Sequence, residues 1–353
     1  ISAKLYAEAE KRGKEKEFAD LWKKLNNCIN ELESTRIADI NSILMQYMYY
    51  IRTVNKETIS ETGAINVTTP GLRRYFTEIN KMPITDPIGM CSDMVKLVKV
   101  WKKVSEYPQM KVLLKFNENT KLFLASYFFR FDEDNITEEL VEPILECLLR
   151  LFSLLELVDV GYSSKYFKTF LFGTEVKLVS KSTTVDAITQ DFNEHIRSNW
   201  DKETIWAALH DYDGNVLVYL NEFLFAKEKG LSFTLGTKYD IEHIMPYSGN
   251  NLQEIRKDAE IDSEEEFYGV VNKLGNKILL EEKINRAIGN EWFRTKVSTK
   301  LENKTGYIDS KYPIARALVS KYQSANKPYW KKDDIMSTTD KASDRIVRFI
   351  FGE

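Results

Sequence analysis

The chain of 353 residues holds three histidines, His195, His210 and His243. Only His243 stands among groups that could work with it, in Asp240-Ile-Glu242-His243-Ile-Met-Pro246. A His beside a carboxylate, stopped by Pro, suits a strand end that exposes an imidazole. Further on comes Lys273-Leu-Gly275-Asn276-Lys-Ile-Leu-Leu280, and Asn285 follows nine residues after Asn276. These residue types fit phosphodiester hydrolysis. A neutral imidazole near pH 7 can take a proton from the attacking water. Charge builds on the leaving oxygen, where a hard divalent cation can neutralise it. Such a cation takes oxygen ligands and keeps several waters. Glu242 supplies a carboxylate beside the base, and Asn285 an amide oxygen from the next helix. Asn276 can hydrogen-bond the backbone of the loop that holds His243 and so orient the ring. Asp240 is a further candidate ligand, because strand alternation puts it on the side of Glu242. Each residue also has a structural reading: Asn276 closing a turn, Asn285 capping a helix, Glu242 facing solvent.

The elements that must position these groups follow from pattern. Apolar residues at Leu21, Trp22, Leu25, Cys28, Ile29 and Leu32 keep a 3.6-residue period, as do Ile40, Ile43, Leu44, Tyr47, Met48 and Ile51. The same pattern predicts helices over about 71–80, 90–106, 120–131, 137–157, 184–200, 202–209 and 216–229. Residues 58–71, rich in Thr and Gly, read as a loop or short hairpin. Near Gly230 the character changes. Strands are expected over 231–236 with 239–244, and over 273–281. Ser263-Glu-Glu-Glu266 is a helix-start signature between them. Helices over 284–301, 312–324 and 341–351 complete the chain. The fold class expected is α+β and predominantly α-helical. A helical domain at 1–229 precedes a two-strand-and-helix domain at 230–353.

Composition narrows the function classes. Hydrophobic residues make up 43 % and charged residues 29 %, a globular balance. Cys28, Cys91 and Cys147 form no CxxC pair, which excludes a zinc ribbon and argues against a disulfide framework. That favours a reducing, cytoplasmic setting. The most apolar stretch, 140–160, is broken by Glu142, Glu146, Arg150 and Glu156, so no membrane partner is expected. The net charge is -3, yet residues 267–332 carry 14 Lys and Arg against 5 Asp and Glu. Such a segment is the footprint of a phosphate-backbone binder or a solvated face. Lys283, Arg286, Arg294 and Lys296 are the candidate DNA contacts within it. His195 and His210 lack a surrounding motif and read as structural or surface residues. Trp292, Phe293 and Trp330 read as core, packing against the strands and a late helix, with stacking on an unpaired base the alternative for Trp330.

The pattern resembles the HNH (His-Me finger, ββα-metal) nuclease motif. More narrowly, EHIMP, LGNKILL and N-x4-N-x2-F-x2-K resemble the C-terminal nuclease domain of GmrSD-type restriction proteins over about 230–300, while 1–229 is similar to that family's helical middle region in layout only. The resemblance implies a metal-dependent endonuclease that cuts or nicks foreign or modified phage DNA in bacterial defence. It makes His243 the general base, Asn276 its orienting residue, and Glu242 and Asn285 the ligands of a divalent metal, Mg2+ first and Mn2+ or another cation as alternatives. The third motif position is Asn here, an HNN version. In that family a ParB-like nucleotide-binding domain comes first. No segment like it is visible, and the start at Ile1 points to a piece of a longer chain, in which an oligomer is also compatible. The alternatives are a non-catalytic nucleic-acid-binding or regulatory module with a decayed site, and a helical interaction scaffold.

Overall fold

A computed structural model of the chain describes residues 1–32, 37–117, 119–158, 165–180, 182–298, 305–324 and 327–353. Helices dominate, and the one sheet among the described residues is a two-stranded antiparallel hairpin. No helix of the described residues is long and apolar enough to cross a membrane. The chain divides into two compact units, Ile1–Phe152 with Val160–Glu194, and Ser153–Asp159 with His195–Glu353.

The first unit is helix packed on helix. In Ile40–Val54 the inward stripe is Ile43, Leu44, Tyr47 and Met48, and Asp39 caps the start by accepting from Ser42 N at 2.8 Å. Pro87–Val104 opens with Pro at its first position and Asp86 as cap. It buries Met94, Val98 and Trp101, whose indole N–H donates to Gln46 at 2.7 Å. The helix Lys165–Leu178 was not foreseen, because its Phe, Thr and Gly residues give no clean apolar stripe. Residues 58–71 form a loop with a single bridge, Ile59 to Ile65.

The second unit begins earlier than the change of pattern near 230 suggests. Helices Lys202–Asp211 and Val216–Glu228 are helical like the first unit, but their partners lie late in the chain. Trp206 donates to Asp344 at 2.7 Å, and Arg345 joins Asn221 at 2.6 Å and Glu228 at 2.7 Å. Local periodicity carries no record of which distant face covers a helix.

The hairpin is shorter than the sequence predicts. Strand β1, Tyr239–His243, pairs with β2, Lys277–Glu281, in a register from Tyr239 opposite Glu281 to His243 opposite Lys277. Residues 231–236 are not a strand, because β2 passes into the helix Glu282–Ile288 after Glu281 and offers them no partner. Residues 274–276 are a 3-10 turn rather than the start of β2. The helix expected over 284–301 stops at Gly289, whose φ of 54° is left-handed, and resumes as Phe293–Val297. Residues 299–301 of that expectation lie outside the described residues. The last helix, Lys332–Phe351, starts nine residues earlier than predicted, with Asp334 accepting from Lys331 N. Ser263 caps Glu264–Val271 as its sequence signature requires, accepting from Glu266 N at 3.0 Å.

Candidate active site

Strand β1 ends at His243, and the next residues, Ile244 and Met245, enter the core and are held from two sides. Asn276 is fully buried. Its Oδ1 accepts from Met245 N at 2.8 Å, and its Nδ2 donates to Met245 O at 3.0 Å and Val271 O at 2.8 Å. The backbone adds Ile244 N to Asn276 O at 2.9 Å. Gly275 makes this approach feasible. A Cβ there would stand 2.3 Å from Ile335 O and 2.4 Å from Thr339 N, both backbone atoms of the last helix. Only glycine lets that helix press on the turn that carries Asn276.

Lys296 holds the other side. Its side chain is fully buried, and Nζ donates to Glu242 Oε1 at 2.5 Å, His243 O at 2.9 Å and Ile244 O at 3.2 Å. Tyr307 OH donates to the same Glu242 oxygen at 3.1 Å. Buried charges persist when paired and hydrogen-bonded, and this lysine is both. Burial pulls its ammonium below the ordinary lysine range, and the Glu242 carboxylate opposes the shift. Burial and the same carboxylate push the Tyr307 phenol well up. The ion pair therefore braces three consecutive residues, 242–244.

His243 is half-buried, and its Nε2 lies 3.2 Å from Asn272 Oδ1. With that oxygen accepting, Nε2 carries the proton and Nδ1 is the basic nitrogen, a tautomer assigned from the hydrogen bond. Burial holds the imidazole below its ordinary pKa; the hydrogen bond to Asn272 opposes that shift, and the charges of Lys277 and Lys296 add to it. The ring is thus neutral near pH 7, as a proton acceptor must be.

Asn285, on Glu282–Ile288, donates through Nδ2 to Asp240 Oδ2 at 3.1 Å. The carboxylate brought to Asn285 is therefore Asp240 and not Glu242. No hydrogen bond joins Glu242 to Asn285, and none joins the imidazole to Asn285. Glu242 turns to Lys296 because the buried ammonium needs an anion, whereas the carboxylate expected beside Asn285 from the motif was Glu242. The donor set is hard oxygen and amide, which fits Mg2+ or Mn2+ held by few protein groups and much water. Among the described residues no three His, Cys, Asp or Glu side chains cluster as a ready metal cage. That is compatible with a cation completed by water and substrate phosphate.

The four candidate DNA contacts divide. Lys283, Arg286 and Arg294 are exposed, with Arg286 paired to Glu282 and Arg294 lying over Trp292 at 5.7 Å. Lys296 is corrected: with no exposed side-chain surface, its ammonium cannot reach a phosphate. Phe293 and Trp330 pack with Tyr322 in the core, and Trp292 donates to Asp258 at 3.1 Å. Asn272 and Tyr307 escaped the sequence reading, since neither belongs to the motif.

Residues 182–342 match the family model described as GmrSD restriction endonucleases, C-terminal domain. The matched stretch holds the whole hairpin, the helix bearing Asn285, Lys296 and Tyr307, and it is similar to the C-terminal region of a GmrSD-type restriction endonuclease. It starts well before residue 230, three residues ahead of the helix Val185–Asn199, within which the longer segment of the second compact unit, His195–Glu353, also begins. No curated protein and no solved structure gives a significant match.

Proposed function

We propose that the chain is a metal-dependent endonuclease of the HNH class that cuts DNA, acting in restriction of foreign or modified DNA. The observation that carries this reading is the imidazole of His243, kept neutral by burial and set in a backbone segment clamped by Asn276 and Lys296. In this reading His243 Nδ1 takes the proton of the attacking water while Asn272 holds Nε2. Asn276 and Lys296 fix where the ring points by holding its backbone. Asp240 and Asn285 hold the divalent cation, and Glu242 serves as the counter-ion of Lys296. Bound there, the cation supplies charge neutralisation at the departing oxygen. Lys283 and Arg294 contact flanking phosphates. The match to a restriction-endonuclease domain supports DNA as substrate.

The test is nicking of supercoiled plasmid by the full chain with Mg2+, with chelator, and with His243→Ala. Nicking that needs the metal and disappears in the folded variant is the expected result. A variant that nicks at the wild-type rate excludes His243 as base. DNA binding with steep salt dependence and no cutting under any divalent cation would make the chain a binding module instead.

A further inference from the structure

We propose that a basic groove beside the far end of the hairpin is a second DNA-backbone site that holds the strand several nucleotides from the cut. The proposal rests on the reading of DNA as substrate and deepens it. The groove encloses about 660 Å³, and Lys229, Lys311, Arg316 and Lys321 stand along it, with Phe225 and Leu231 in its apolar wall. Among the described residues none that lines it is acidic. The chain as a whole is net negative, so four cations in one concavity are a local excess. Among the described residues Lys229, Lys311 and Arg316 pair with no carboxylate. That separates them from Arg286, which is spent on Glu282, and from Arg345, which is spent on Glu228. The neighbouring carboxylates are engaged elsewhere: Glu281 accepts from Ser310 Oγ and Lys311 N at 2.8 Å each, and Glu228, which also feels the Lys229 charge, pairs with Arg345. A cleft lined by one sign of charge concentrates a polyanion and steers its approach.

The hairpin also sets a scale for the separation. Lys311 is anchored to Glu281, which stands opposite Tyr239, at the other end of the hairpin from His243 and Lys277. Four residues of antiparallel strand span roughly 14 Å. At about 3.4 Å per nucleotide along one strand, that span corresponds to roughly four nucleotides. Leu231, 52 % exposed, and Phe225 give an apolar wall on which a sugar or an unpaired base can rest.

The experiment measures binding of a fluorescein-labelled DNA duplex across a salt series, using His243→Ala so that nothing is cut. Lys229→Gln, Lys311→Gln and Arg316→Gln are combined in that background. The expected result is affinity lowered at least about tenfold and a log–log salt slope shallower by about 2–3, since each lost phosphate contact removes about 0.9. Ser320→Glu, which keeps every cation but places an anion in the groove, weakens binding as well. An unchanged affinity and slope overturn the groove while metal-dependent nicking by the unaltered chain still stands. Groove-dependent binding without nicking has the opposite meaning: the groove holds and the nuclease reading fails. Competition by polyglutamate as effective as by unlabelled DNA also overturns the proposal, since the groove would then be an unselective anion patch.

Discussion

Lys296 and Glu242 form a buried ion pair at 2.5 Å, and the fully buried lysine spends its remaining donors on the carbonyls of His243 and Ile244. A lysine in a basic segment thus works inward, as a brace for the residue that precedes and the residue that is the proposed base. Removing one partner of such a pair strands the other charge, at a cost of about 3–5 kcal/mol. Lys296→Met should therefore lower unfolding stability by that order in urea titration. Removing both charges, in Glu242→Leu with Lys296→Met, should recover much of the loss. A double variant no more stable than the single one would mean that the pair does not carry the stability.

The pH dependence of cutting follows from His243. Its pKa is depressed below 6.5 by burial and by neighbouring cations. The acid limb of kcat/KM should have its midpoint below 6.5, because activity requires the neutral ring. Lys296→Met, where it still folds, removes one positive charge and should move that midpoint up. His243→Ala should cost about 10²–10⁴ in rate. A midpoint at or above 6.5 in the unaltered chain would contradict a buried imidazole as the base.

Metal affinity separates the two carboxylates of β1. Asp240→Asn should raise the Mg2+ concentration for half-maximal nicking at least about tenfold, the scale of a lost or mis-set ligand. Glu242→Gln should act mainly on stability. The reverse pattern would return Glu242 to the metal and leave Asp240 as the partner of Asn285 alone.

Two buried glutamates give the fold its own pH response. Glu222, accepting from Ile314 N at 2.8 Å, and Glu175, accepting from Ser126 Oγ at 2.5 Å, are both raised by burial to about 8. The folded chain keeps these protons after the unfolded chain has released them near 4.5. Proton binding by the native state exceeds that of the unfolded state across this window, so stability declines as pH rises from about 4.5 to about 8 and levels off above. Glu222→Gln, which cannot ionise, should flatten part of that slope. An unchanged slope in thermal melts from pH 5 to about 8 would exclude Glu222 as a source.

The sequence by itself determined the helix stripes, the two short strands and the order Asp240, Glu242, His243, Asn276, Asn285. These are legible because period, capping and motif spacing are local properties of a chain. It also placed Asn276 where its amide could reach the loop after His243. Only the tertiary structure decided that Asn285 meets Asp240, that Lys296 turns inward to Glu242, and that Asn272 holds the imidazole. Two carboxylates on one face of β1 are equivalent to any pattern argument. What distinguishes them is which distant group is packed above each one, a buried ammonium over Glu242 and a helix amide over Asp240. For the same reason helices 202–211 and 216–228 went with the second unit. Their apolar faces were visible in the sequence, while the partner that covers them came from more than a hundred residues away.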